Sequence, residues 1–284
     1  MCSGSSKVKL LKLKKPSLTI VIPAYNEEKR ILSTLQRVQQ YFNEQSYPWC
    51  VLMISDGSND QTDSIYQNFS DSHSNFELIS YKPNKGKGYA VRTGIMLANS
   101  EWVLFSDADL AAPVEEIEKL LPCLYQGYDV AIGSRSLKKS HLLIHQPLYR
   151  EWMGKAANKF IQILGIKGIQ DTQCGFKLFK KEAAHDIFCR CQMNGFSFDI
   201  ESLMIANDLG YKIAEVPIRW AHQEGSKVKI IPHYLQSFKD LIWLRLQGKK
   251  RRLLIKTRPK DTFSKNNRHL EPVITKKNRA KSPT

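Results

Sequence analysis

Along the first half of the chain, short apolar runs rich in β-branched residues alternate with longer stretches whose apolar positions recur at helical spacing. Buried strands of a parallel sheet read as near-continuous apolar runs, and the helices covering them read as a stripe. The runs predict strands over Ser17–Ile22, Cys50–Ser55, Phe76–Ser80, Trp102–Phe105 and Asp129–Gly133. A first helix is predicted from Glu27, with acids in its opening turn and Ile31, Leu32, Leu35 and Val38 on one face. A second runs through Ile65 and Phe69, a third leads from the Asn84–Gly88 loop through Ala98, and a fourth spans Pro113–Leu121. Regular alternation of strand and helix predicts an α/β fold, with a mostly parallel central sheet and helices on both faces. In such folds ligands bind outside the carboxyl ends of the strands. Asn26, Asp56, Lys85, Asp107 and Arg135 all fall just past predicted strand ends.

Composition narrows the class. The 284 residues are 42% hydrophobic, enough for one large domain with a sizeable core. No run approaches the roughly 18 apolar residues of a membrane-spanning helix, and Met1–Lys15 lacks the apolar centre of a signal peptide. The six cysteines show no zinc or redox spacing, so a reduced cytosolic setting is expected.

The net charge of +16 is carried by the ends. Residues 1–15 hold five lysines and no acid, Lys249–Arg252 adds four charges, and residues 256–284 carry a net seven. The body between is neutral, which argues against a nucleic-acid partner, whose groove would need basic residues on the fold itself. Basic ends suit either contact with anionic headgroups or simple solvation. The expected organisation is a basic segment over 1–16, a catalytic domain over 17–230, an amphipathic helix with a basic end over 231–252, and a basic tail over 253–284.

Candidate chemistry sits in the loops. Asp107 and Asp109 leave the run Trp102–Phe105 one residue apart, and the strand period of two would aim both the same way. Mg²⁺ or Mn²⁺ is often held by one or two carboxylates plus substrate phosphates. Asp56 would accept the imide N–H of a uracil, or would serve as a turn or helix-cap residue. Lys85-Gly-Lys87-Gly is glycine-rich and basic but lacks the Ser/Thr ending of a P-loop. Arg135 would clamp phosphate oxygens. His141 and His145 have helical zinc spacing without the metalloprotease Glu, and read as incidental. A hydrolase Gly-x-Ser-x-Gly elbow is absent.

Taken together, Val21–Glu27, Ser55–Asp60, Asn84–Gly88, Asp107-Ala-Asp109 and Gly133-Ser-Arg135 resemble the family 2 glycosyltransferases of the GT-A fold. Tyr149-Arg150, Asp171–Phe179, Phe198–Glu201, Ala214–Pro217 and Gly225-Ser-Lys227 are similar to the polyprenyl-phosphate hexose synthases. Thr172-Gln-Cys-Gly leans toward the dolichyl-phosphate β-glucosyltransferase branch. The resemblance covers residues 17–245. It implies that Pro23, Tyr25, Glu27, Asp56 and Lys87 hold the nucleoside and that Asp107 and Asp109 bind the metal and, through it, the diphosphate. It implies that Arg135 and Arg150 contact the reacting phosphates, that Gln173 sits near donor or acceptor, and that Lys227 rides a mobile loop over the site. Mannosyl relatives often carry a metal-binding Gln where this chain has Ala111, so coordination there differs. His222-Gln223-Glu224 stands where relatives often place an arginine.

The implied reaction is metal-dependent, inverting transfer of glucose from UDP-glucose to a polyprenyl phosphate. The same fold also admits GDP-mannose as donor. It admits a hydroxyl acceptor on a polysaccharide too, for which Asp199 would be the general base. A nucleotide-sugar or lipid-phosphate binding module without catalysis is the non-enzymatic alternative. A lipid acceptor implies a peripheral place at the cytosolic face of a membrane, or a membrane-protein partner. Leu148–Leu164 and the stripe of Ile231, Tyr234, Leu235, Phe238, Leu241 and Ile242 would either lie in the lipid interface or pack on the core.

Overall fold

The computed structural model describes residues 17–144, 166, 168–221 and 239–246. Its centre is a seven-stranded sheet built from β1 (Leu18–Ala24), β2 (Trp49–Asp56), β3 (Phe76–Tyr81), β4 (Trp102–Ser106), β5 (Val130–Ser134), β7 (Phe176–Lys180) and β8 (Ile213–Pro217). The order is β3-β2-β1-β4-β7-β5-β8. All neighbours run parallel except β7, which is antiparallel to both β4 and β5. A separate pair joins β6 (His141–Ile144) to β9 (Arg219–Ala221) in parallel.

The alternation of side chains along a strand divides the apolar residues between two cores. Val21, Ile54, Val103 and Phe105 point to one face, where α3 (Lys87–Leu97), α5 (Lys181–Phe188) and α6 (Phe198–Asp208) cover them. Ile20, Ile22, Met53 and Leu104 point to the other, under α1 (Ile31–Asn43), α2 (Thr62–Ser72) and α4 (Ile117–Tyr125). Each such side chain taken from water contributes about 1.5–3 kcal/mol, so β1, buried along its whole length, anchors both layers. A further helical stretch at 239–246 turns Leu241 and Leu244 into the first core.

The five expected strands and the four helices that follow the first four of them are present, with shifted ends, while 231–238 and 247–252 of the helix expected over 231–252 lie outside the described residues. The first helix starts at Ile31 rather than Glu27, and it has no acid in its first turn. The reason lies across the sheet. The N–H groups of Asn26, Glu27 and Glu28 donate to Ser58 Oγ (3.0 Å), Thr62 Oγ1 (2.7 Å) and Asp60 Oδ2 (3.2 Å), which hold the segment as a loop. The fourth helix opens with a 3₁₀ turn at Val114–Glu116 and runs on to Tyr125, with Pro122 inside it. Strand β7 was not expected at all, because Lys177 interrupts its apolar pattern.

Candidate active site

Five loops meet at the carboxyl edge of the parallel strands. After β1, Pro23 and Ala24 are still buried strand residues and Tyr25 is the first exposed side chain. Asn26 takes a left-handed φ of 55° and accepts the Asn59 N–H at Oδ1 (2.7 Å), which ties the first loop to the second. Glu27 is ion-paired with Arg30.

Asp56 ends β2 and is buried. Its Oδ1 accepts the Lys85 N–H (2.8 Å), and its Oδ2 accepts the Gly86 N–H (2.8 Å) and Asn84 Nδ2 (2.9 Å). Three donors occupy most of the roughly four acceptor sites of a carboxylate. Asp56 thereby organises the Asn84–Gly86 loop. Gly86 adopts φ +101°, and a Cβ there would press on the Asn194 carbonyl, so the loop's path to Lys87 depends on glycine.

That path delivers Lys87, the first residue of α3, to Asp107. The Lys87 Nζ lies 2.7 Å from Asp107 Oδ1. The ammonium also sits near the Phe105 and Phe196 rings, 5.5 and 5.6 Å from their centroids. The resemblance implies a nucleoside contact for Lys87, and the structure shows its ammonium paired with Asp107. Burial works against its charge, but Asp107 and Asp199 outweigh burial and raise its pKa.

Asp107 and Asp109 lie beyond the end of β4 at Ser106, so the strand period does not aim them. A turn does: the Leu110 N–H donates to the Asp107 carbonyl (3.3 Å), Leu110 takes φ 47°, and Asp109 Oδ1 accepts the Ala111 N–H (3.0 Å). Strand β7 supports this turn from beside it. The Asp107 N–H donates to the Gly175 carbonyl (3.0 Å), and a Cβ at Gly175 would collide with the Asp107 carboxylate. Burial and the charge of Asp107 raise the pKa of Asp109. Two carboxylates this close resist ionising together, and a divalent cation between them removes that conflict. Among the described residues no cluster of three or more His, Cys, Asp or Glu forms a closed metal site. The pair thus fits a hard ion whose remaining ligands are phosphate oxygens and water.

Arg135 follows β5, and its fork is already engaged. Its backbone N–H and Nε donate to Asp171 Oδ2 (2.9 and 2.7 Å), and Nη2 donates to Oδ1 (2.8 Å). The guanidinium also stacks near Trp220, 5.5 Å from the ring centroid. Burial pushes the Asp171 carboxyl up, but Arg135 overcomes it and the pKa falls. Glu215 in turn accepts the N–H groups of Gln170 and Asp171, each at 2.8 Å. The bidentate edge expected to meet phosphate is therefore committed to Asp171. Gln173 lies half-buried in the same Asp171–Gly175 loop.

Asp199, in the first turn of α6, is buried in an ion pair with Lys177. Burial raises its pKa against the pull of Lys177 and Lys87. It is not the free, solvent-facing carboxylate that a general base was expected to be. Arg150, Lys227, His145 and the Leu148–Leu164 stretch lie outside the described residues, and His141 opens β6.

The sequence pattern by itself assigns no individual role to Asp171, Gly175, Lys177 or Glu215. Lys177 carried a readable signal, a lysine inside the apolar run Phe176-Lys-Leu-Phe179. The others depend on partners far along the chain.

The model of the family described as glycosyl transferase family 2 matches residues 19–188. The dolichyl-phosphate beta-glucosyltransferase of Dictyostelium discoideum is 33% identical over 242 residues, 81% of this chain and 74% of that protein. The enzyme of the same name from Mus musculus is 33% identical over 243 residues, 81% and 75% of the two chains. Among solved structures, mannosyl-3-phosphoglycerate synthase from Rubrobacter xylanophilus superposes with a TM-score of 0.63 at 15% identity, covering 83% of this chain and 75% of that one. Glucosyl-3-phosphoglycerate synthase from Mycobacterium tuberculosis, in complex with Mn²⁺, UDP-glucose and phosphoglyceric acid, gives 0.59 at 17% identity over 80% and 79%. These likenesses establish the GT-A fold.

Proposed function

The chain belongs to glycosyl transferase family 2, and on that premise we propose that it transfers glucose from UDP-glucose to a dolichyl-type polyprenyl phosphate with inversion at the anomeric carbon. It is a glycosyltransferase; the donor, the acceptor and the stereochemistry are the proposal. The observation that carries it is the convergence of Asp107, Asp109 and Lys87 past β4, in a chain one-third identical to dolichyl-phosphate beta-glucosyltransferases.

Asp107 and Asp109 would hold Mg²⁺ or Mn²⁺, which supplies neutralisation of the charge growing on the departing diphosphate. The chain's own groups prepare that place. Asp56 fixes the loop that carries Lys87, and Lys87 brings a fixed positive charge to the diphosphate end. Asp171 holds Arg135 in one orientation at the neighbouring strand end.

The acceptor chemistry follows from Asp199. A sugar hydroxyl needs a base to take its proton, and Asp199 is ion-paired to buried Lys177. A phosphate monoester, with a second pKa of about 6, is largely dianionic at neutral pH and attacks without one. The ion pair therefore supports a lipid phosphate over a polysaccharide hydroxyl. The full chain should be incubated with radiolabelled UDP-glucose or GDP-mannose, Mn²⁺ or Mg²⁺, and a short polyprenyl phosphate. Label entering the organic phase from UDP-glucose alone is expected. Label from GDP-mannose alone, or none from either, would overturn the assignment.

A lipid acceptor also places the enzyme peripherally at the cytosolic face of a membrane. No helix among the described residues is long and apolar enough to cross one. In the stretch 239–246, Leu241 and Leu244 are buried while Ile242, Trp243 and Leu246 are exposed, and Lys249–Arg252 follows in sequence. An exposed apolar edge beside basic residues suits anionic lipid. Replacing Trp243 and Leu246 together by Glu should weaken co-sedimentation with anionic vesicles about tenfold or more, since each tenfold takes only about 1.4 kcal/mol. Unchanged binding would remove this surface from the membrane contact.

A further inference from the structure

The two oxygens of Asp107 are held differently. Oδ2 occupies the space that a Cβ at Gly175 would fill, so backbone packs against it. Oδ1 is buried, and the Lys87 ammonium covers it at 2.7 Å. Among the described residues this ammonium is the group paired with that oxygen. A cation of higher charge that binds the same carboxylate competes with it directly.

The surroundings keep Lys87 beside that oxygen. Its ammonium and that of Lys177 sit near the same Phe105 ring, 5.5 and 5.7 Å from its centroid. Phe198 packs edge-on to this ring, at 5.6 Å between centroids. Lys177 is bound to Asp199 and to the Cys174 carbonyl (2.7 Å). Lys87 is thus left to serve Asp107, with the charges of Asp199 and Asp109 also acting on it.

We propose that Lys87 is a built-in counter-ion that covers one oxygen of Asp107 until a nucleoside diphosphate arrives to accept its ammonium. Lys87 then adds its own share to the cooperativity that a metal and a diphosphate gain from shared coordination. The inference rests on the reading of Asp107 and Asp109 as the metal ligands. A divalent ion arriving alone must displace Lys87 and leave an ammonium beside a dication, a like-charge contact in a partly buried place. A diphosphate removes the penalty because its oxygens take both cations. By linkage, the metal must then tighten the diphosphate by the same factor.

Mn²⁺ binding to the full chain, followed by electron paramagnetic resonance and calorimetry with and without UDP, tests this without any turnover. In the wild type, UDP is expected to tighten Mn²⁺ about tenfold or more, within the usual range of coupling between sites. Lys87→Met should bind Mn²⁺ alone about fivefold more tightly, because the competitor is gone, and its coupling to UDP should fall by about the same factor, the remainder coming from phosphate oxygens on the metal. A lysine that only contacts phosphate predicts something else: weaker UDP with Mn²⁺ alone unchanged. That result would overturn the proposal. So would a wild type that binds Mn²⁺ equally well with and without UDP, a measurement that needs no variant. If Lys87→Met does not fold, Lys87→Gln carries the same expectation. Mn²⁺ that fails to bind in either condition overturns the metal reading itself, whereas normal Mn²⁺–UDP binding with unaltered coupling in the variants overturns only the role of Lys87.

Discussion

Asp107→Asn and Asp109→Asn, made singly, should each reduce glucosyl transfer by about 10²–10³-fold, the scale of losing one group that stabilises developing charge. The amide keeps the size of the carboxylate and loses its charge. It therefore tests the metal reading with little disturbance of the turn that holds Leu110 and Ala111. Stability should move the other way for Asp109. Burial and Asp107 raise its pKa in the fold, so the ionised form is worse off folded than unfolded. An acid shifted in this direction destabilises the native state fully above its folded pKa, and the cost shrinks as pH falls below that value and is gone below the unfolded pKa. Asp109→Asn should consequently melt at the same temperature as the wild type or higher at neutral pH, and the difference should vanish in acid. Loss of activity with retained or improved melting marks a residue kept for chemistry. Activity within tenfold of wild type in both variants would remove the aspartates from the mechanism.

The second large effect is on the fold. Lys177→Met should cost about 3–5 kcal/mol, the usual loss when one partner of a buried ion pair is removed. Lys177 is 1% exposed in the central antiparallel strand, and its loss leaves Asp199 charged, buried and without its main partner. In urea the midpoint should fall by about 1 M or more, given slopes of about 1–3 kcal/mol per molar. The double variant Lys177→Met with Asp199→Leu should regain much of that loss, because two apolar side chains replace two buried charges. A single variant as stable as wild type would mean that water or another group screens Asp199.

The two effects separate what could be read in the sequence from what could not. The strands β1, β2, β4 and β5 were legible because each is a largely buried apolar run that ends in polar residues, and β3, at the sheet edge, because Phe76 and Ile79 still mark its buried positions. Their loops were legible as one site because a parallel sheet collects its carboxyl ends on one edge. The partners of the site residues were not legible. Asp56 meets Lys85 and Gly86, and Arg135 meets Asp171, through hydrogen bonds that span 29, 30 and 36 residues. A carboxylate read alone looks equally free to bind uracil or to brace a loop. Asp107 and Asp109 are neighbours for a reason other than strand period, since a turn from Asp107 to Leu110 beyond the end of β4 brings them together. Strand β7 was hidden because a lysine at its second position contradicts the rule for interior strands, and only the acid of a later helix explains it.

The small sheet of β6 and β9 bears on how relatives of this enzyme are engineered. It pairs Ile144 with Ala221, and the Ala221 N–H donates to the Ala111 carbonyl (2.8 Å), two residues from Asp109. Ile144 and Ala221 are therefore joined in one register at the rim of the reaction centre. Exchanging either short strand alone for a homologue's would break a register that both depend on. Recombination between family members should instead treat His141–Ile144 and Arg219–Ala221 as one unit, exchanged together or left alone.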